Sequence, residues 1–464
     1  MSTHRRWMGC ALFVTLALGF ASALVAETAP PALRRRAFFG ARFGRPGDPG
    51  APPGIAADAK GLQVFEVFPD TPAARAGVQG GDAILEALGQ PIDAPPQFIA
   101  VVGKLRAGDA LELTLLRAGE PKKLTVTLGE LPIERSDAID IAYGAVVVRE
   151  QPLRTVLTRP KGGGAARPAV LLVQDSPCLS VEDPRGFGSP YRKLAHELSV
   201  KGFVTMRLEK SGVGDSLGPA CPTTDFDTEV AGFRSALAAL RTEAGVDPAR
   251  VFLVGQGTGG TIAGQLAAET AVRGVVALGA TARPWPQYVR DGVERGLRFA
   301  GEDAQRIQQT LARVSELQEA LFVKKQELPT IFKEQPQLRE ALSRVLFAPS
   351  APENEILGRH YRFWQQLAAQ DLAAPWKRVS ASVLVLRGSA DYEASSEDAR
   401  AIAAAVNQSR PGAAAFRELP YTDHFFMVAQ DPQESFRAQH DGEAYEFSWD
   451  LVDVLAQWMN EAKG

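Results

Sequence analysis

The second two thirds of the chain alternate between short apolar runs and longer amphipathic segments. Residues 169–174 form an apolar run of the kind that is typical of a strand buried on both faces. Similar patterns predict strands at residues 203–208, 250–254, 275–278, 383–386 and 415–419, and helices at 191–200, 226–241, 261–269 and 447–462. This alternation predicts a mostly parallel sheet with helices on both faces.

Two segments depart from the alternation. Residues 139–148 and 152–158 are two adjoining strand patterns, which predict an antiparallel hairpin and bring the strand total to eight. Residues 285–376 are charged, helical in pattern and poor in glycine, with helices expected at 302–325 and 335–346. We therefore expect a helical lid inserted after the sixth strand.

The first third of the chain has a different pattern. Residues 62–68, 109–117 and 122–128 alternate apolar and polar positions, as strands with one buried face do. An amphipathic helix is expected at residues 95–105. A small β-rich unit over residues 37–130 is predicted, preceded by a linker rich in proline, alanine and arginine.

Length and composition agree with two or three ordinary globular domains. The chain has 464 residues, 45% apolar and 23% charged, and a formal net charge of −3. A charge this close to zero indicates neither a nucleic-acid partner nor an anionic membrane surface.

Residues 1–26 have the organisation of a secretory signal peptide. Arg5 and Arg6 lie in a basic start, an apolar stretch follows, and Ala21-Ser22-Ala23 offers a small-x-small cleavage pattern. The alternative is an uncleaved anchor, although the apolar stretch is short for a membrane span. We expect a periplasmic or secreted protein with no integral membrane segment after cleavage, and Sec and twin-arginine export both remain open.

A glycine-rich turn at residues 255–259 (GQGTG) lies between a predicted strand and a predicted helix. This context is that of the G-x-S-x-G nucleophile elbow, but Gly257 stands where the serine would be. One alternative is a plain glycine-rich turn. Another is a dinucleotide loop, disfavoured because the next strand, 275–278, is followed by no acidic residue.

The N-terminal unit resembles PDZ domains of the bacterial protease type. The resemblance rests on the PAARAGVQGGDAIL signature at residues 72–85 and on the glycine between aromatic residues at 38–43. It implies that Phe39, Gly40, Ala41 and Phe43 form a loop that receives the carboxylate of a protein C-terminus, with the peptide added as a strand. The alternative is a PDZ fold that serves only as an intramolecular spacer.

The C-terminal unit resembles α/β-hydrolases of the serine-aminopeptidase and dienelactone-hydrolase type, over residues 138–464. Beyond the elbow, the motifs are RLEKSGVGDS at 207–216, LRGSAD at 386–391 and PYTDHFF at 420–426. The resemblance implies an α/β-hydrolase fold in which Asp391 and His424 are the acid and histidine of a catalytic triad, in the usual chain order. Asp423 is a rival acid, but its position next to His424 directs it elsewhere.

An oxyanion hole requires two backbone N–H groups, which the resemblance assigns to Thr258 and to the loop at Asp175. Asp175 is an unusual neighbour for a developing negative charge. Thr258 itself is a less favoured candidate for a displaced nucleophile.

Cysteines and histidines indicate a disulfide rather than a metal site. Cys10 lies in the signal peptide, which leaves Cys178 and Cys221, and both follow strands at the same predicted edge of the sheet. The five histidines are scattered, so neither a metal nor another cofactor is expected.

Two functions follow. The first is an exported hydrolase of esters or small peptide amides that uses His424 and Asp391, with water in place of the serine. The second is a pseudohydrolase whose pocket and PDZ groove bind ligands without turnover. On the sequence alone, Gly257→Ser is expected to restore hydrolysis.

Overall fold

The computed structural model describes residues 33–44, 60–184, 188–343, 345–347, 351–441 and 446–462. The predicted signal peptide and the Pro/Gly-rich segment 45–59 lie outside these residues.

The N-terminal unit is an antiparallel β-structure with two short helices. Its elements are β1 (Ala37–Phe38), β2 (Ala41–Gly44), β3 (Leu62–Val67), α1 (Pro72–Arg75), β4 (Ala83–Ala87), β5 (Gln90–Pro91), α2 (Pro95–Val102), β6 (Ala110–Arg117), β7 (Glu120–Thr127) and β8 (Gly129–Glu130). The sheet order is β2-β3-β4-β6-β7, with β5 beside β4, while β1 pairs with β8. Strand β2 is therefore an edge of the sheet.

The C-terminal unit begins with a hairpin and continues with alternating strands and helices. These are β9 (Ile139–Val148), β10 (Gln151–Pro160), β11 (Arg167–Val173), α3 (Pro190–Val200), β12 (Val204–Leu208), α4 (Phe226–Thr242), β13 (Val246–Gln256), α5 (Thr258–Glu269) and β14 (Gly274–Leu278).

A helical cap, which corresponds to the predicted lid, follows β14. It contains α6 (Trp285–Phe299), α7 (Ala304–Gln318) with a π-helical turn (Glu319–Val323), α8 (Leu328–Glu334), α9 (Pro336–Leu342), the small hairpin β15 (Glu355–Ile356) and β16 (Arg359–His360), α10 (Tyr361–Ala368) and α11 (Ala373–Arg378). The cap therefore contains more and shorter helices than the two long helices that the sequence predicted. Its helices α6 and α10 are joined by the stacked rings of Trp285 and Trp364, whose centroids are 5.0 Å apart.

The chain then returns to the sheet. The remaining elements are β17 (Ser382–Gly388), α12 (Ser396–Ser409), β18 (Ala414–Leu419), α13 (Pro432–Asp441) and α14 (Trp449–Glu461). The eight strands lie in the order β9-β10-β12-β11-β13-β14-β17-β18, and all neighbours from β12 onward are parallel. This is the predicted sheet, with the cap inserted after its sixth strand in chain order.

Burial on both faces explains the apolar runs. In β11, Leu171 and Val173 face a core shared with α4, α5 and the cap, whereas Val170 and Leu172 face a core shared with α3 and α14. Because successive side chains alternate between the two cores, no polar position interrupts the strand.

The segments on either side of the N-terminal unit are bonded to the C-terminal unit. Arg35 forms ion pairs with Glu182, at 2.6 Å, and with Asp215. On the other side, the buried Glu134 carboxylate pairs with Arg207 at 2.7 Å and with His196 at 3.0 Å. The sequence pattern suggested only linkers here, because charged residues in a polar stretch give no sign of distant partners.

Candidate functional site

The turn between β13 and α5 has the backbone shape of an elbow but no side chain at its apex. Gly257 has φ +52° and ψ −122°, which L-residues rarely adopt. Its N–H donates to the carbonyl of Leu278 at 2.9 Å, which ties the turn to β14. A Cβ on Gly259 would lie 2.2 Å from the carbonyl oxygen of Val173, so that glycine permits close contact between α5 and β11.

The Asp175 carboxylate fills the space that a side chain at the apex would need. A Cβ on Gly257 would lie 2.4 Å from both Cγ and Oδ1 of Asp175. Asp175 Oδ1 accepts hydrogen bonds from the N–H of Ser176 at 2.7 Å, the N–H of Thr258 at 2.8 Å and the hydroxyl of Thr258 at 2.9 Å. The carboxylate therefore occupies two backbone donors of the kind an oxyanion hole requires.

This geometry changes the expected source of the second oxyanion donor. The sequence placed it at Asp175, but the N–H of Asp175 already donates to the Tyr191 hydroxyl at 3.1 Å. The amide directed at the site belongs to Ser176. The physical reason is that the Asp175 side chain folds back over its own loop to accept from that amide.

Asp391 and His424 lie together at the ends of β17 and β18, as the sequence predicted. His424 Nδ1 is 3.0 Å from Asp391 Oδ2, and the two residues are 3% and 2% exposed. Asp391 Oδ1 accepts from the N–H groups of Glu393 and Ala394, both at 2.8 Å, which fixes the carboxylate. Asp423 instead accepts from the Ser435 hydroxyl and from backbone amides.

Carboxylates surround the other nitrogen of the imidazole. His424 Nε2 lies 3.6 Å from Asp175 Oδ2 and 3.7 Å from Glu393 Oε2, and it is buried with no hydrogen-bond partner among the described residues. Burial alone would lower the pKa of His424, but the Asp391 and Glu393 carboxylates raise it well above its usual value. Burial alone would raise the pKa of Asp175, but the interaction with His424 outweighs it and lowers that pKa to about 2. For Glu393 the effect of burial prevails, and its pKa is raised.

The folded chain brings together three residues that could hold a metal ion, which the scattered histidines of the sequence gave no reason to expect. Asp175, Glu393 and His424 each offer one ligand atom, and these atoms lie within 4.8 Å of one another. The three residues come from the ends of different strands, so their spacing in the sequence gave no sign of the cluster.

A cavity of about 1020 Å³ opens above these residues, beneath the cap. Its floor includes Asp175, Gly257, Thr258 and Glu393. Its roof is mainly apolar and comes from the cap; the residues are Trp285, Tyr288, Val289, Val293, Leu297 and Trp364. The volume and lining suit a small molecule with a substantial apolar part.

Three buried charged residues support the Asp175 loop, a role that no pattern in the sequence indicated. Lys210 Nζ donates to the carbonyl of Asp175 and pairs with Glu229 at 2.9 Å. Arg359, from the cap, pairs with Glu229 at 2.8 Å and donates to the carbonyl of Ser176 at 2.8 Å. Lys210 lies in the 207–216 motif, whereas Arg359 is one of many cap charges and has no distinguishing signal.

The predicted disulfide between Cys178 and Cys221 is present, which confirms the pairing. Cys178 follows Asp175 by three residues, and Cys221 lies in the loop after β12. The bond therefore joins the Asp175 loop to its neighbour at the same edge of the sheet.

In the N-terminal unit, the four predicted loop residues lie at the start of the edge strand β2. Gly40 has φ +92°, and a Cβ there would lie 2.2 Å from Cβ of Thr71, so the position requires glycine. The carbonyl of Phe39 accepts from the N–H of Ala73 at 2.9 Å, which attaches the loop to α1. Phe39 and Phe43 pack on Phe98 of α2, with ring centroids 5.2 and 4.9 Å apart, and Ala41 pairs with β3.

Comparisons with known proteins agree with both units. Residues 177–438 match the family described as alpha/beta hydrolase, and residues 40–128 match the PDZ domain. The N-terminal region is 44% identical over 82 residues to a probable periplasmic serine endoprotease DegP-like of Pseudomonas savastanoi pv. phaseolicola, covering 18% of this chain and 17% of that protein. Esterase EstD of Thermotoga maritima is 24% identical over 247 residues, 52% of this chain and 50% of that protein. The chain thus spans at most about half the length of either relative.

Two solved structures overlap with the chain more loosely. The esterase domain of a Rhodothermus marinus protein has a TM-score of 0.41 at 15% identity, over 70% of this chain and all of that chain. Est1E of Butyrivibrio proteoclasticus, with ferulic acid bound, has a TM-score of 0.43 at 12% identity, over 68% of this chain and 98% of that chain. With TM-scores this low, these structures do not bear on the family, which the sequence matches assign.

Proposed function

We propose that this chain, which belongs to the α/β-hydrolase family and carries a PDZ domain, binds an ester, a small amide or a peptide-like ligand beneath its cap. The esterase-like site does so without forming an acyl-enzyme intermediate. The supporting observation is the Asp175 carboxylate. It stands where a nucleophilic side chain would be and occupies the N–H donors of Ser176 and Thr258. A substrate carbonyl oxygen would have to displace a negative charge to reach those donors.

The cavity supports a ligand with an apolar body and a polar head. Trp285, Tyr288 and Trp364 line the roof, while the floor carries Asp175 and Glu393. Polar groups on the ligand that donate hydrogen bonds, or that carry positive charge, are favoured near these carboxylates. The apolar part then lies against α6 and α10.

A serine-directed fluorophosphonate probe tests the absence of an acyl-enzyme. We expect the wild-type protein to remain unlabelled, because Gly257 has no side chain to react. Ligand binding is measured in parallel by the change in tryptophan fluorescence on titration with short-chain and long-chain esters. Stoichiometric labelling of the wild type that disappears in Thr258→Ala would overturn the proposal and make Thr258 the nucleophile.

The His424–Asp391 pair favours a second candidate, which is direct hydrolysis by water. Asp391 binds Nδ1 of the imidazole, as the acid partner of a histidine base does, while Nε2 lies beside the Asp175 and Glu393 carboxylates. Because the pKa of His424 is raised well above its usual value, the neutral form that can act as a base forms only at high pH. This candidate predicts ester turnover with no burst of released alcohol, because no acyl-enzyme accumulates. His424→Ala would abolish that turnover, whereas a contaminating esterase would be unaffected.

We also propose residues 37–130 and 138–464 as the two domains, with the cap at about 285–376, and residues 1–26 as a signal peptide. A disulfide and a PDZ region similar to that of a probable periplasmic protease support export to the periplasm or beyond. Within the described part of the chain, no helix has the length and apolarity needed to span a bilayer. A protein C-terminus is the proposed partner of the PDZ domain.

A further inference from the structure

We propose that Asp175, Glu393 and His424 bind a divalent metal ion, with Zn²⁺ as the preferred ion, beside the turn at Gly257. This cation site goes beyond the proposed function, because metal binding is independent of any turnover.

The three ligand atoms lie within 4.8 Å of one another, and both distances from the imidazole nitrogen are close to those around a single ion. His424 Nε2 is 3.6 Å from Asp175 Oδ2 and 3.7 Å from Glu393 Oε2. A tetrahedral zinc ion with bonds of about 2.0–2.2 Å separates its ligand atoms by roughly 3.3–3.6 Å. One imidazole and two carboxylates are ligands that zinc accepts, and three protein ligands leave one position for water or for a ligand in the cavity.

The side chains of His424 and Asp175 are each oriented by partners on the side away from the proposed ion, and the backbone of Glu393 is also held. His424 Nδ1 is held by Asp391 at 3.0 Å, which is the carboxylate–histidine arrangement that orients metal-binding imidazoles. Asp175 Oδ1 accepts from Ser176 and Thr258, which leaves Oδ2 free. The backbone of Glu393 is fixed by its N–H bond to Asp391 at 2.8 Å.

A second observation is that Nε2 of the His424 imidazole has no hydrogen-bond partner among the described residues. His424 is 3% exposed. A buried polar atom normally has a partner, so an unpaired one aimed at two carboxylates calls for an occupant.

The charge balance favours a cation as that occupant. Three carboxylates, from Asp175, Asp391 and Glu393, surround the one imidazole. Two basic groups of this region already have partners: Lys210 pairs with Glu229 and donates to the backbone carbonyl of Asp175, and Arg295 donates to the backbone carbonyls of Tyr392 and Glu393. Asp175 and Glu393 line the cavity, so an ion has a route to the site.

The test is isothermal titration of Zn²⁺ into tag-free, chelator-treated full-length mature protein. We expect one ion per chain and a rise in thermal unfolding temperature on binding. Asp175→Asn, Glu393→Gln and His424→Gln should each weaken binding by at least about 10-fold, and Asp391→Asn by about 10- to 100-fold through the orientation of the imidazole.

Glu397→Gln is the matched control, since it removes an exposed acid on α12 that faces Arg283 rather than the cluster; it should leave zinc affinity unchanged. Circular dichroism establishes that each variant is folded. A folded wild type that binds no zinc overturns the proposal, as does zinc affinity that is unchanged in both Asp175→Asn and His424→Gln. Because fluorophosphonate labelling does not depend on zinc, failure of this site is distinguishable from failure of the proposed function.

Discussion

The proposed site beneath the cap and the proposed peptide site of the PDZ domain differ in how much each depends on a single side chain. Beneath the cap, the turn at Gly257 and the His424–Asp391 pair lie at the ends of strands, but the apex of the turn carries no side chain. In the PDZ domain, Gly40 adopts a left-handed conformation, β2 is an edge strand of the sheet within the described residues, and phenylalanine rings pack beside it.

The difference follows from what each site uses. Strand addition is made by backbone N–H and C=O groups, which every residue except proline supplies, so it tolerates changes of sequence. Acyl transfer depends on one side chain at one position, and a single replacement removes it. The fold of the hydrolase unit can therefore persist while its chemistry changes.

The largest effect is expected from rebuilding the nucleophile. Because a Cβ at position 257 would lie 2.4 Å from the Asp175 carboxyl, Gly257→Ser alone should stay inactive, contrary to the expectation from sequence. The double variant Gly257→Ser/Asp175→Gly should gain probe labelling and short-chain ester hydrolysis, with kcat/KM about 10³-fold above wild type. Adding His424→Ala should remove both gains. If the single variant is as active as the double variant, Asp175 is displaced easily and does not block the site.

The disulfide should stabilise the hydrolase unit and leave the PDZ unit unchanged. It closes a loop of 43 residues, so Cys178→Ser/Cys221→Ser should lower the free energy of unfolding by about 4 kcal/mol in the chain-entropy model. Tryptophan fluorescence during denaturant unfolding measures this selectively, because residues 37–130 contain no tryptophan. An unchanged midpoint would mean that packing alone fixes the Asp175 loop.

A pH dependence is expected from Glu209, which is buried beside Ser180 and Glu182. Burial raises the pKa of Glu209 to about 7, so the folded state binds a proton that the unfolded state has released. Its contribution to stability is therefore present below about pH 4.5 and is lost as the pH rises to 7, by up to about 3 kcal/mol.

Glu209→Gln should remove this part of the pH dependence and unfold at higher denaturant concentration than wild type at pH 8, again followed by tryptophan fluorescence. Equal slopes of stability against pH in the two proteins would show that Glu209 does not titrate in this range.

The smallest effect concerns the PDZ edge. A peptide with a free C-terminal carboxylate should bind the full chain about 10-fold more tightly than its amidated form, because backbone amides of the loop are expected to hold the carboxylate. Gly40→Ala should remove that preference, since its Cβ would collide with Thr71. Fluorescence anisotropy with labelled peptides measures both. Equal affinity for the two peptide forms would favour the spacer interpretation.

The mostly parallel eight-stranded sheet, the cap insertion and the disulfide could be predicted from the sequence, and the resemblance to α/β-hydrolases implied the juxtaposition of His424 with Asp391. Each depends on a local signal, namely an apolar run or the position of a residue just after a strand, and parallel strands bring such positions to one edge of the sheet. The α/β-hydrolase fold and the PDZ unit are confirmed by the family matches, while the roles of His424, Asp391, Thr258 and the PDZ loop residues remain proposals.

Only the tertiary structure shows that the Asp175 carboxylate occupies the space next to Gly257 at the apex of the turn. Asp175 and Thr258 are 83 positions apart, and Glu393 comes from a third strand end, so their meeting depends on the direction of each side chain as well as on the order of strands. Arg359 reaches Ser176 from the cap, 183 positions away. Sequence periodicity gives the face of an element that a residue occupies, but the final position of a flexible charged side chain is set by the partners that the folded chain brings to it.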